Sequence, residues 1–279
     1  MSSSTAITGG PPHDDAWRPA LQMLKVAGVP LRVGVVGQGP TLLLVNGIGA
    51  NIEMWEALAR RLPDRRLVMF DFPGTGASPT MRRQRRMPAL ARLVVRLLDE
   101  LSIERTDVLG YSWGGALAQE LAHQAPDRIG SLVLAATTPG LGGQAPAPWV
   151  IAAMATPLRY YSPTFLRLVA PLIYGAPVQD QTHVGARRQR PPAIRGYLHQ
   201  LYAISGWSSR PWLRRLRLPV LVLAGDGDRL APMGNARIMA RAIPGARLEV
   251  IPGGHLFLLE QPDRAAGVIT AFLDERRPR

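Results

Sequence analysis

The chain has 279 residues, is 47% hydrophobic and only 19% charged, and contains no cysteine. That is enough apolar material for one large core, too little charge for a disordered chain, and no thiol for disulfides, metal sites or nucleophilic attack. The net charge of +13 rests on 33 basic residues, of which only Lys25 is a lysine. They fall in separate clusters: Arg82, Arg83, Arg85 and Arg86; Arg187, Arg188 and Arg190; Arg214, Arg215 and Arg217; Arg276, Arg277 and Arg279. Such scattering reads as solvated surface and not as a nucleic-acid face, which would interleave basic residues with aromatics in one stripe.

Met1 to Asp15 is a polar Ser/Gly/Pro stretch without the apolar centre of a signal peptide, and reads as a flexible tail extending to about residue 20. Nowhere does an apolar run reach the roughly 18 residues that a membrane helix needs, so the expectation is a soluble, cytosolic protein. Beyond the tail, Val26 to Val36 reads as an opening hairpin and Thr41 to Val45 as a buried strand ending in Asn46-Gly47-Ile48-Gly49. Arg66 to Phe70 is a further strand, leaving through Asp71-Phe72-Pro73-Gly74-Thr75-Gly76. That loop lacks the Lys-Ser/Thr ending of a phosphate cradle and reads as a structural turn. From Pro88, Leu90, Leu93, Val94, Leu97, Leu98 and Leu101 share one helical face. Thr106 to Leu109 is a strand, Trp113 to Gln124 a helix and Ser131 to Ala135 a strand. Val220 to Ala224 and Arg247 to Ile251 complete the strand set, and Pro262 to Glu275 forms a last helix. Alternation of this kind specifies an α/β fold around a mainly parallel sheet.

From Pro139 to Leu213 the alternation stops, and nine of the 17 aromatic residues gather there. Helix-compatible pieces lie around Trp149 to Met154, Thr164 to Ile173 and Ile194 to Ile204. So long a stretch is no bare loop. It reads as a mostly helical cap over 139–213, inserted into a core of 21–138 and 214–279, and its apolar character fits a hydrophobic substrate.

The sharpest chemical signal is Gly110-Tyr111-Ser112-Trp113-Gly114, directly after one apolar strand and directly before a helix. A serine hydroxyl attacks only when geometry exposes it and a base takes its proton. A tight strand-to-helix turn gives the exposure, and small residues two positions either side give the clearance. An acid and then a histidine should follow. Of the five histidines, His13 lies in the tail, His123 in the helix after Ser112, and His183 and His199 in the cap. His255 alone sits in a loop after a late strand. For the acid, Val220 to Ala224 runs into Gly225-Asp226-Gly227-Asp228, and either carboxylate lies at the sheet's reactive end. The oxyanion would take the amides of Trp113 and Ile48, with Gly47 and Gly49 allowing close backbone approach. No His/Asp/Glu cluster has metal-ligand spacing and no dinucleotide fingerprint follows the first strand, so the sequence implies no cofactor.

Further segments carry a resemblance. They are Asn46-Gly47-Ile48-Gly49-Ala50-Asn51, Ser112-Trp113-Gly114-Gly115-Ala116-Leu117-Ala118-Gln119, Leu132-Val133-Leu134-Ala135-Ala136 and Gly254-His255-Leu256-Phe257-Leu258. In the cap they are Pro157-Leu158-Arg159-Tyr160-Tyr161, Ile173-Tyr174-Gly175 and Gly206-Trp207-Ser208-Ser209. From about Val26 to Glu275 the chain resembles the α/β-hydrolase superfamily, and within it the intracellular medium-chain-length polyhydroxyalkanoate depolymerases. The resemblance implies Ser112 as nucleophile, Asp228 as acid in preference to Asp226, His255 as base, and Ile48 and Trp113 as oxyanion amides. It implies a hydrophobic ester substrate, either a storage-granule polymer or a small ester, lactone or C–C-cleavable compound, and a place at the granule surface. Dehalogenases and epoxide hydrolases of this fold carry aspartate where Ser112 stands. The run Met81 to Arg86 and the region Arg187 to Pro192 are more basic than the depolymerase pattern.

Overall fold

Strands that are apolar along their whole length must be covered on both faces, and here they lie side by side in one eight-stranded sheet. A computed structural model describes residues 18–176 and 190–275. Most of the expected tail, His13, His183, Arg187 and Arg188, and Arg276, Arg277 and Arg279 lie outside the described residues. The strands are β1 (Ala20–Val26), β2 (Val29–Val36), β3 (Thr41–Val45), β4 (Arg66–Phe70), β5 (Thr106–Tyr111), β6 (Ile129–Ala135), β7 (Val220–Gly225) and β8 (Arg247–Ile251). Their spatial order is β1-β2-β4-β3-β5-β6-β7-β8, with β1, β2 and β4 joined antiparallel and all other pairs parallel. The first strand starts at Ala20, earlier than the hairpin expected from Val26. It is an edge strand in which Gln22 and Lys25 interrupt the apolar residues, so no continuous apolar run marks it.

In the core the helices are α1 (Glu56–Ala59), α2 (Met87–Glu100) and α3 (Trp113–Gln124). The face Leu90, Leu93, Val94, Leu97 and Leu98 of α2 is buried as its periodicity requires. Between β6 and β7 the described residues hold α4 (Pro148–Met154), α5 (Leu158–Tyr161), α6 (Pro163–Tyr174) and α7 (Ile194–Ile204). After β7 come α8 (Met233–Ala242), α9 (Phe257–Glu260) and α10 (Pro262–Asp274). No sequence signal announced α8, since it buries only Asn235, Ala236 and Met239. Among the described residues, no helix is long and apolar enough to cross a membrane.

The helical segment leaves and re-enters the core at one place. Leu141 N–H donates to the Trp207 carbonyl at 2.8 Å, and Ser209 N–H donates to the Pro139 carbonyl at 2.9 Å. Trp207 Nε1 then donates to Glu120 at 2.7 Å, and Ser209 Oγ to Gln119 at 2.7 Å, fixing this junction to α3. A second attachment uses the turn after β4. Ala193 N–H donates to the Gly74 carbonyl at 2.8 Å, and a Cβ on Gly196 would stand 2.5 Å from the Gly74 Cα. Glycine at both positions is what lets α7 cross the turn. Arg86 belongs to the same contact, donating to the Tyr202 carbonyl at 2.9 Å with its guanidinium 3.9 Å over the Tyr202 ring.

The turn itself is held by Asp71, which is fully buried. Its carboxylate accepts from Ile52 N–H and Ala77 N–H, each at 2.8 Å, and from Arg32 at 3.0 Å. Burial pushes the Asp71 carboxyl above its ordinary value, while these donors and Arg32 pull the other way. Asp71→Asn would turn an amide donor toward groups that already donate, and leave Arg32 with Glu53 alone. The expected loss is about 3 kcal/mol of unfolding free energy, read as a lower urea midpoint at unchanged slope.

Candidate active site

The reactive end of the sheet is built at the junction of β5 and α3. Ser112 sits there at φ 55° and ψ −120°, a left-handed backbone that an L-residue adopts only when its neighbours force it. The forcing is visible in the glycines. A Cβ on Gly114 would lie 2.1 Å from the Val45 carbonyl oxygen, and one on Gly110 would lie 2.6 Å from the Ala118 side chain. Ser112 N–H donates to the Ala135 carbonyl at 2.9 Å, while its own carbonyl accepts from Thr137 Oγ1 at 2.7 Å. Main-chain bonds on both sides of the residue therefore hold the turn, and the hydroxyl is left for other work.

That hydroxyl meets His255. Ser112 Oγ is 2.9 Å from His255 Nε2, and His255 Nδ1 is 2.8 Å from Asp228 Oδ2. A carboxylate only accepts, so Nδ1 carries the proton and Nε2 turns its lone pair to the serine. The other oxygen of Asp228 accepts from Leu230 N–H and Ala231 N–H, both at 2.8 Å. Asp226 stands elsewhere, accepting from Gly253 N–H at 2.8 Å and so tying the β7 loop to the loop that carries His255. His255 and Asp228 are both buried.

His255 is fixed from three sides. Its N–H donates to the Tyr174 carbonyl at 2.7 Å, its carbonyl accepts from Tyr111 Oη at 2.9 Å, and the Tyr174 ring stacks on the imidazole at 5.9 Å. The backbone packs tightly here. A Cβ on Gly254 would come within 2.1 Å of the Tyr174 carbonyl oxygen. Tyr174 ends α6, so a helix of the β6–β7 segment helps orient the imidazole.

The loop after β3 faces the same hydroxyl. Among the described residues, neither Ile48 N–H nor Trp113 N–H has an acceptor within the protein. The carbonyl of Ile48 accepts from Tyr160 Oη on α5, and Gly49 N–H donates to Gln200 Oε1 on α7 at 2.9 Å. Trp113 Nε1 donates to the Gln200 carbonyl at 2.9 Å. Ile48, Ser112, Tyr160 and His255 line one cavity of about 20 Å³, room for roughly one water molecule.

The remaining histidines are placed otherwise. His123 stacks on Trp212 at 4.3 Å, and His199 is buried in α7, where burial and the nearby Arg195 lower its affinity for a proton. Arg159, Tyr160, Tyr174 and Gln200 were not singled out from the sequence as site residues.

The alpha/beta hydrolase fold family matches residues 40–262. The chain belongs to the α/β-hydrolase family. Over 242 residues this hydrolase is 43% identical to a poly(3-hydroxyalkanoate) depolymerase of Ectopseudomonas oleovorans, covering 85% of this chain and 86% of that one. It is 30% identical over 263 residues to 3-oxoadipate enol-lactonase 2 of Acinetobacter baylyi, covering 90% and 95%. Among solved structures, a hydrolase from Pseudomonas aeruginosa PA01 is similar with a TM-score of 0.78 and 30% identity, over 91% of this chain and 98% of that one. The hydrolase acts on esters.

Proposed function

We propose that this hydrolase cleaves the ester bonds of poly- or oligo-(3-hydroxyalkanoates) through Ser112, His255 and Asp228. The hydrogen-bonded line from Ser112 Oγ through His255 to Asp228, at 2.9 and 2.8 Å, carries the reading. Ser112 Oγ attacks the ester carbonyl carbon while Nε2 takes its proton. The Ile48 and Trp113 amides receive the oxyanion. Collapse breaks the acyl carbon–oxygen bond, and the imidazolium returns its proton to the departing 3-hydroxyl. Water, deprotonated by His255, then releases the acyl group as a carboxylic acid and restores Ser112.

The polyester assignment is supported by the 43% identical depolymerase, whose likeness covers 85% of the chain. It is supported too by the surface of the helical segment, read as a cap. Trp149 and Ile151 on α4, Leu168 and Leu172 on α6, and Ile194 and Leu198 on α7 are exposed, an apolar display suited to a hydrophobic granule. A second reading, a small ester or lactone, draws on the 30% identical enol-lactonase and on the narrow cavity. Parallel assays separate the two. A latex of medium-chain polyester is cleared, with 3-hydroxy acids released, at rates far above those for a small lactone. Lactone turnover without clearing would reverse the assignment.

The contacts from Tyr160 and Gln200 to the loop after β3 make both residues positioning groups for the Ile48 amide. Tyr160→Phe removes one hydrogen bond worth about 1 kcal/mol, so kcat is expected to fall roughly fivefold to tenfold with KM changing less. Steady-state kinetics on p-nitrophenyl octanoate test this; a change confined to KM would assign Tyr160 to substrate contact instead.

A further inference from the structure

Arg159 is the charged group in the cavity whose presence the triad does not explain. It lies on α5, is only 2% exposed, and borders the same cavity as Ser112 and His255. Its Nε donates to Tyr174 Oη at 3.1 Å, and its Nη1 donates to Tyr197 Oη at 2.8 Å and to the Thr156 carbonyl at 3.3 Å. The guanidinium also lies against the Tyr160 and Tyr197 rings, at 4.7 and 5.2 Å. Among the described residues no carboxylate pairs with it, and Nη2 has no acceptor.

None of these partners is an anion. Burial pushes the Tyr197 hydroxyl up to about 12 against the opposing pull of Arg159, so Tyr197 stays neutral and donates to the Met154 carbonyl at 2.6 Å. Arginine does not shed its proton when buried. An uncompensated buried charge is costly, and an apolar side chain of similar volume would fill the space without that cost. A guanidinium bordering the cavity that Ser112 also lines, clamped on two nitrogens with the third left over, is arranged to receive an anion.

We propose that Arg159 binds a carboxylate carried by the substrate. This rests on the polyester reading above and sharpens it. In a 3-hydroxyalkanoate chain the free carboxyl end lies three bonds beyond the last ester oxygen. Seating that carboxylate on Arg159 presents the terminal ester to Ser112. Oγ bonds to the acyl carbon, the bond to the terminal unit breaks, and the His255 proton goes to the released 3-hydroxyl. The terminal monomer leaves as its carboxylate, and the shortened chain stays on Ser112 until water removes it.

The test uses a dimer of 3-hydroxyoctanoate as free acid and as methyl ester, scoring cleavage of the internal ester by mass spectrometry, with p-nitrophenyl octanoate as reference. Wild-type enzyme is expected to prefer the free acid by at least about 10-fold in kcat/KM. In Arg159→Gln that ratio falls toward one, whatever the absolute rates, and Arg159→Lys keeps an intermediate ratio. Equal rates on the two dimers, or an unchanged ratio in the glutamine variant, overturn the carboxylate site while the polyester reading stands. If neither dimer is cleaved although p-nitrophenyl octanoate is, the polyester reading fails and this inference with it. Should the glutamine variant not fold, the wild-type pair and the lysine variant still decide.

Discussion

Ser112→Ala is expected to lower kcat by about 10⁶-fold on every ester the enzyme accepts, because the covalent step loses the hydroxyl that His255 Nε2 faces. The fold should be indifferent. Ser112 is held by its N–H to the Ala135 carbonyl and by its carbonyl from Thr137, and alanine keeps both. Its strained φ of 55° is no harder for alanine than for serine, so stability should change by at most about 0.5 kcal/mol. Thermal melts beside p-nitrophenyl octanoate kinetics make the comparison, and a fluorophosphonate should label wild type but not the variant. Retention of a few per cent of activity in the folded variant would remove Ser112 from the mechanism.

Asp228→Asn is expected to cost about 10⁴-fold in kcat, for a reason of proton placement. An asparagine oxygen can still accept from Leu230 and Ala231, which turns its amide nitrogen toward His255 Nδ1. Nδ1 must then accept, the proton moves to Nε2, and the ring has no lone pair for Ser112. Asp226→Asn keeps an amide oxygen that can accept from Gly253 N–H, and should stay within roughly tenfold of wild type. The ordering of the two variants is the measurement. If Asp226→Asn were the crippled enzyme, the acid would have been assigned to the wrong residue.

How much of this was legible beforehand depended on whether the physics is local. The apolar strand ending at Gly110-Tyr111-Ser112 and the clearance glycines leave their mark within a few residues, so Ser112 and its turn could be read directly. The bracketing strands and the helices α4, α6 and α7 were also readable from apolar runs and periodicity. The acid was not. Asp226 and Asp228 share one loop two residues apart, and the residues alone left both open. In the structure one carboxylate faces the imidazole and the other a loop amide. Arg159 was further out of reach, since its surroundings come from α5, α6 and α7, which converge only in three dimensions. The edge strand β1 was missed because Gln22 and Lys25 interrupt its apolar residues, and three of its seven side chains meet solvent.

The paired crossing at Pro139–Leu141 and Trp207–Ser209 has a consequence for how such an enzyme diversifies. Because the outgoing and returning chains are stapled together and to α3, the ends of β6 and β7 feel a fixed anchorage whatever lies beyond it. Chain between those posts can lengthen or shorten at little entropic penalty, since closing a longer excursion adds only about 0.6 kcal/mol per doubling, provided Tyr160, Tyr174 and Gln200 keep their contacts with Ile48, His255 and Gly49. Selectivity is thereby free to drift in the parts of the segment that leave those three contacts in place.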